Sequence, residues 1–120
     1  MKIFCVFNKY DYGKKELGIS FEYYNFYGTL TRMLGEKNLI FFPIDELSEK
    51  LGEEEINEKF FNMVNTEKPD LAFFFYGRGP IKRETIKKVT ESGIVTFNWF
   101  VDDHWRFSIF SRDFAPNFKW

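Results

Sequence analysis

Apolar residues are concentrated in four short runs separated by stretches of mixed polarity. The runs are Lys2–Phe7, Leu39–Phe42, Leu71–Tyr76 and Ile94–Trp99. Within each run the apolar residues are continuous rather than alternating, which is typical of parallel strands covered on both faces. The pattern therefore predicts four buried strands of a parallel sheet.

Helical spacing of apolar residues predicts helices between these strands. Ser20 is predicted to cap the first helix and Gly35 to end it. The apolar positions of this helix are Phe21, Tyr24, Tyr27, Leu30, Met33 and Leu34. Residues 45–51 and 53–66 are predicted to form one broken helix or two successive helices around Gly52, and residues 82–91 a further helix. The apolar stripes are Ile56, Phe60, Met63 and Val64 within residues 53–66 and Ile86 and Val89 in the last helix. Alternating strands and helices predict an α/β, Rossmann-like three-layer sandwich with about four parallel strands and right-handed crossovers.

The amino-acid composition indicates the general class of protein. The 120 residues are 44% hydrophobic with a formal net charge of −1, as expected for one globular domain over residues 1–120 rather than for a disordered chain. The sequence has neither an apolar run long enough to span a membrane nor a secretory signal, so a cytoplasmic location is predicted. One cysteine and one histidine exclude an internal disulfide and a tetrahedral zinc site, and neither metal nor cofactor is predicted.

Charge is unevenly distributed along the chain. Residues 45–58 contain seven acids and one lysine, whereas residues 78–88 contain five basic residues and one acid. Such segments are typical of solvated helix faces, and a nearly neutral chain with one short basic segment does not predict nucleic-acid binding.

Three segments follow predicted strands, where open α/β sheets bind their ligands. Asn8–Gly13 contains Asn8 and Asp11, candidate substrate-binding residues on a polar loop that could hold an anion or a sugar hydroxyl; the alternative is a plain surface loop. Tyr76–Pro80 contains Arg78, a candidate for pairing with a phosphate or carboxylate; the alternative is a strand-to-helix turn. Neither segment has the glycine spacing of a dinucleotide-binding loop or a P-loop, so nicotinamide and flavin functions lack support.

The third segment, Asn98–Phe107, has the densest set of reactive side chains. Asp102, Asp103 and His104 are candidate catalytic groups, because a carboxylate or an adjacent imidazole can accept a proton from a substrate. Asn98, Trp99 and Arg106 are candidate substrate-binding residues, Trp99 by stacking on a ring. The alternative is that one of the aspartates caps a following helix and pairs with Arg106. By contrast, Cys5 lies within a predicted strand, which favours a buried apolar role over a nucleophilic one.

Several of these stretches resemble the CgeB-like (spore maturation protein) glycosyltransferase-like family. The resemblance is carried by Met1–Gly13, Ser20–Tyr27, Lys68–Leu71 and, most specifically, Thr96–Phe107. It implies the N-terminal, acceptor-side domain of a GT-B-type enzyme, in which a second Rossmann-like domain binds the nucleotide sugar. That second domain has no counterpart in this sequence, so the chain is expected to be a truncated and inactive part of such an enzyme.

The resemblance also implies a reaction: transfer of a sugar from a nucleoside diphosphate donor to an unidentified acceptor, without a metal ion. The alternative is a non-catalytic module of α/β fold that binds a small ligand or another protein. The exposed side of a fourth strand would be an uncovered sheet edge, which makes a homodimer through that edge a further expectation.

Overall fold

The four predicted strands form one parallel sheet. A computed structural model describes residues 1–75, 79–100, 108, 112 and 115–118 of the chain. In it, β1 (Ile3–Phe7), β2 (Leu39–Pro43), β3 (Leu71–Phe74) and β4 (Val95–Asn98) are arranged in the order β2-β1-β3-β4. Every neighbouring pair is parallel, with Ile3 opposite both Leu39 and Leu71. The predicted α/β fold with a four-stranded parallel sheet is therefore confirmed.

One face of the sheet is covered by three helices, and we call it the α3–α4 face. The helices are α2 (Ile44–Ser48), α3 (Glu53–Glu67) and α4 (Arg83–Glu91). The strand residues Phe4, Val6, Phe42, Ala72 and Phe74 form one core cluster with Ile56, Phe60, Val64, Ile86 and Val89 of the helices. The apolar stripes predicted for α3 and α4 are thus confirmed, since burial of those stripes is what attaches each helix to the sheet.

The opposite face, which we call the α1 face, is covered by the helix that spans residues 21–34. Its second half is α1 (Gly28–Leu34), and its first half, Tyr23–Tyr27, is π-helical. As predicted, Ser20 caps the helix, because its Oγ accepts the N–H of Tyr23 at 3.0 Å. Gly35, at φ 81°, ends it with an N–H donated to the Thr31 carbonyl.

The predicted apolar stripe of this helix is only partly correct. Tyr27, Leu30 and Leu34 pack on the α1 face together with Phe26, whereas Phe21, Tyr24 and Met33 are exposed. A π-helix inserts extra chain into a turn and so shifts the residues before it around the helix axis. The inward positions before α1 are therefore Tyr23 and Phe26, which an uninterrupted helical period did not predict.

The prediction that all four strands are covered on both faces is wrong for β4. β1 is buried along its whole length, but β4 alternates, with Thr96 and Asn98 buried and Val95 and Phe97 exposed. The exposed residues lie on the α1 face, where the helix over residues 21–34 leaves β4 uncovered. None of the helices in the described part of the chain is long and apolar enough to cross a membrane.

Candidate functional site

Strand order places a candidate site at the carboxyl ends of β1 and β3. The chain leaves β1 towards β2 on one side and later returns to β3 on the other, so the connections diverge between β1 and β3. Ligands of open parallel sheets bind in the crevice at such a reversal. The loop Asn8–Ile19 follows β1 there, and Phe75 follows β3.

The loop Asn8–Ile19 is held together by its own backbone. It contains two short 3-10 turns, Asp11–Gly13 and Lys15–Leu17, and a β-bridge pairs Tyr10 with Ile19. Asp11 donates its N–H to the Gly18 carbonyl at 3.0 Å, which closes the loop at its base. These bonds hold the backbone at Asp11 in place before any ligand arrives, which lowers the entropic cost of binding.

Asp45, the second residue of α2, attaches this loop to the neighbouring strand connection. Its carboxylate accepts the N–H of Lys9 at 3.0 Å and that of Tyr10 at 2.9 Å. The side chain is buried, so the prediction that residues 45–58 form only solvated helix faces is wrong at this position. Lys9 also pairs with Glu46 at 3.4 Å, and this interaction raises the pKa of the lysine.

Ser20 joins the end of β1 to the start of the helix. Besides capping the helix, its Oγ donates a hydrogen bond to the Asn8 carbonyl at 2.7 Å, and its N–H bonds the Lys9 carbonyl at 3.0 Å. The residue is almost fully buried. The helix N-terminus is therefore held directly against the strand end.

Glu22 is a buried carboxyl group in the first turn of that helix. Its side chain is 8% exposed. Burial, together with the nearby negative charges of Asp11 and Asp45, raises the pKa of Glu22 to about 7, against the lowering effect of hydrogen bonds from its own backbone N–H and from Ser20. A carboxyl with a pKa near neutrality can both accept and release a proton at physiological pH.

Sequence reasoning did not identify Glu22 as a site residue. The feature of the sequence that could have identified it is an acidic residue at the second position of a helix that starts beside a strand end. Its burial could not be inferred, because the π-helical turn that follows decides which side of the helix faces the sheet.

Aromatic rings form the wall of the site on the α1 face. Trp99, just after β4, contacts Phe26 with ring centroids 5.7 Å apart. Phe26 also contacts Phe75 at 5.3 Å, and Phe21 lies 6.1 Å from both of these rings. Trp99 is 49% exposed and Phe21 60%, so each presents ring surface to solvent while packed against the core.

The structure brings part of the predicted site together. Asn8 and Asp11 follow the carboxyl end of β1, Asn98 is the last residue of β4, and Trp99 follows it, so all four lie at the same edge of the sheet. Asn98 and Trp99 point to opposite faces, as neighbouring residues of an extended strand do, and Asn98 is buried on the α3–α4 face. The other predicted site residues lie outside the described residues: Arg78, Asp102, Asp103, His104 and Arg106.

Two other predictions can be compared with the structure. Cys5 is completely buried in β1, and burial raises the pKa of its thiol to about 12, which confirms the apolar role.

Lys82, from the basic segment, pairs with Glu53 at 3.6 Å and also with Glu54, so the two oppositely charged segments meet between α3 and α4. In the described residues no group of three or more acids, histidines or cysteines is arranged to bind a metal ion.

We compared the chain with models of protein families, with curated proteins and with solved structures, and none matched. The resemblance to the CgeB-like family therefore remains a prediction from the residues that carry it.

Proposed function

We propose that this chain is the acceptor-binding domain of a glycosyltransferase-like protein, and that a sugar hydroxyl binds at the carboxyl ends of β1, β3 and β4. The observation that carries the proposal is the position of Glu22. This carboxyl is buried in the first turn of a helix at the strand reversal, with a pKa of about 7. A group of this kind suits proton removal from a hydroxyl at neutral pH.

The surrounding residues supply the other requirements of a sugar site. Sugars present hydroxyls around a ring edge and C–H groups on a ring face, so a sugar site needs both polar groups and an exposed aromatic ring. Asn8 and Asp11 lie on the loop that Asp45 holds in place. Trp99 provides the half-exposed ring, supported from behind by Phe26.

The reaction would be a displacement at the anomeric carbon of the donor sugar. The acceptor oxygen forms a bond to that carbon, the bond from the carbon to the diphosphate breaks, and the nucleoside diphosphate leaves. The acceptor proton passes to a protein base. Asp102, Asp103 and His104 follow β4 in the sequence and are the bases that the resemblance suggests, while Glu22 is a further base that the fold adds. General bases contribute roughly 10²- to 10⁴-fold to such rates.

Saturation-transfer NMR with neutral monosaccharides and disaccharides tests the acceptor site. We expect saturation of sugar ring protons by the wild-type chain and at least about tenfold weaker binding, or ~1.4 kcal/mol, in Trp99→Ala. Asn8→Ala should weaken binding as well. Val95→Ala is the matched control, because Val95 is also exposed on the α1 face but begins β4, at the end opposite to Trp99.

The same experiment with nucleoside diphosphate sugars separates acceptor binding from donor binding. An acceptor domain should show saturation of acceptor sugars and none of the nucleoside protons. Absence of saturation for every sugar, or equal binding by wild type and Trp99→Ala, would contradict the proposal.

A second candidate function, a protein-interaction module, is favoured by the exposed apolar side chains of β4.

A further inference from the structure

A cavity of about 320 Å³ lies between α3 and α4, and we call it the α3–α4 cavity. Its lining comes from these two helices alone: Glu54, Asn57, Glu58 and Phe61 of α3, and Thr85 and Lys88 of α4. None of these residues belongs to the candidate sugar site. Ligand sites measure about 300–1,000 Å³, so a cavity of this size suits a small molecule.

Asn57 holds the two walls of the cavity in a fixed relation. This side chain is 6% exposed, and its Nδ2 donates to the carbonyls of Glu53 and Pro80 at 2.8 Å. Its Oδ1 accepts the N–H of Lys82 at 2.8 Å. Because Pro80 and Lys82 lead into α4, these bonds attach the start of α4 to α3. The cavity is therefore shaped before a ligand arrives, which lowers the cost of binding.

Two opposite charges line the cavity without pairing. The carboxylate of Glu54 is already paired with Lys82. Among the described residues, Glu58 and Lys88 form an ion pair neither with each other nor with any other group. Thr85 lies three residues before Lys88, so its hydroxyl is on the same side of α4. The cavity thus presents one carboxylate on the α3 wall, and one ammonium group and one hydroxyl on the α4 wall.

These groups determine which class of ligand fits. A simple anion would be attracted by Lys88 and repelled by Glu58, and a simple cation would meet the reverse. A ligand that carries both an ammonium group and a carboxylate satisfies both walls at once. Phe61 is half-buried, packs against the core of the α3–α4 face and also lines the cavity, so it offers apolar surface to such a ligand.

We propose that the α3–α4 cavity binds a free α-amino acid with an apolar side chain. The ammonium group of the ligand pairs with Glu58, its carboxylate pairs with Lys88 and accepts a hydrogen bond from Thr85, and its side chain packs on Phe61. The charged partners are exposed, so each pair contributes little and the complex is weak, with a dissociation constant of about 1 mM.

An NMR titration of the ¹⁵N-labelled wild-type chain with leucine, up to about 20 mM, tests the proposal. We expect the amide signals of residues 57–61 and 85–88 to shift, because these segments line the cavity. Isopentylamine is leucine without its carboxylate, and 4-methylpentanoate is leucine without its ammonium group. Each should bind at least about threefold more weakly than leucine, since each leaves one wall charge unpaired.

Two variants assign the charges to the two ends of the ligand. Lys88→Gln and Glu58→Gln should each weaken leucine binding at least about threefold. Lys88→Gln should leave isopentylamine binding unchanged, because this ligand has no carboxylate for the lysine to pair with. Lys59→Gln is the matched control, since Lys59 is an exposed lysine of α3 outside the cavity, and it should bind leucine like the wild type.

Absence of shifts at these residues would overturn the proposal, as would equal affinities for leucine and either singly charged analogue. Leucine binding by Lys88→Gln at the wild-type affinity would overturn it as well. The comparison of the three ligands uses only the wild-type chain, so it stands even if a variant fails to fold. The cavity and the candidate sugar site share no residue, so these outcomes do not depend on the proposed function.

Discussion

Glu22 should make the folded protein less stable as the pH rises through neutrality. Burial raises the pKa of this carboxyl from its ordinary 4.5 to about 7 in the folded protein. Between these values the folded chain keeps a proton that the unfolded chain has released. Stability therefore falls with increasing pH over this range, the opposite of the behaviour of a carboxylate in a salt bridge.

The size of the effect follows from the two pKa values. Each pKa unit corresponds to about 1.4 kcal/mol, so the difference between 4.5 and about 7 amounts to at most ~3 kcal/mol of stability lost above neutrality. Replacement of Glu22 by glutamine keeps the shape of the side chain and removes the charge. Glu22→Gln should consequently be more stable than the wild type at about pH 8 and close to it at about pH 5.

Urea unfolding followed by circular dichroism, at about pH 5 and about pH 8, measures this difference. The comparison between wild type and variant cancels other titrating groups, including His104, because both proteins contain them. Glu16→Gln is the matched control, since Glu16 is an exposed carboxyl on the loop after β1 and its replacement should leave the pH dependence unchanged. An identical pH dependence in wild type and Glu22→Gln would refute the reasoning.

Three further predictions concern single buried groups. Asp45→Asn should destabilise the protein by about 2 kcal/mol, because the amide cannot accept the N–H groups of Lys9 and Tyr10 as the carboxylate does; thermal unfolding measures the loss. Asn57→Ala should cost a similar amount, roughly 2 kcal/mol, because Asn57 donates to Pro80 and accepts from Lys82 between α3 and the start of α4; Asn62→Ala, on the exposed side of α3, should cost much less. Cys5 should react with a thiol reagent at least about a hundredfold more slowly than free cysteine at about pH 8, and rapid labelling of the folded chain would contradict its burial.

Periodicity along the chain was enough to predict the strands, the helices and the layered fold. A helix or a strand can bury a row of apolar residues against a sheet only when those residues recur with the helical or the strand period. Ile56, Phe60 and Val64 recur with the helical period, so they predict α3 without any knowledge of the segments that pack on it. Ser20 as a helix cap and Gly35 as a helix end were predictable for the same reason, because both roles depend on local backbone geometry.

The composition of the site depends on contacts between distant segments, which a local pattern does not contain. Asp45 has the same local surroundings as the exposed acids that follow it, yet the loop after β1 packs on it and uses it as an acceptor. Glu22 is buried because a π-helical turn rotates the start of its helix, and Val95 is exposed because no described helix covers β4 on the α1 face. Burial of a side chain is decided by what packs on it, so these three outcomes required the folded chain.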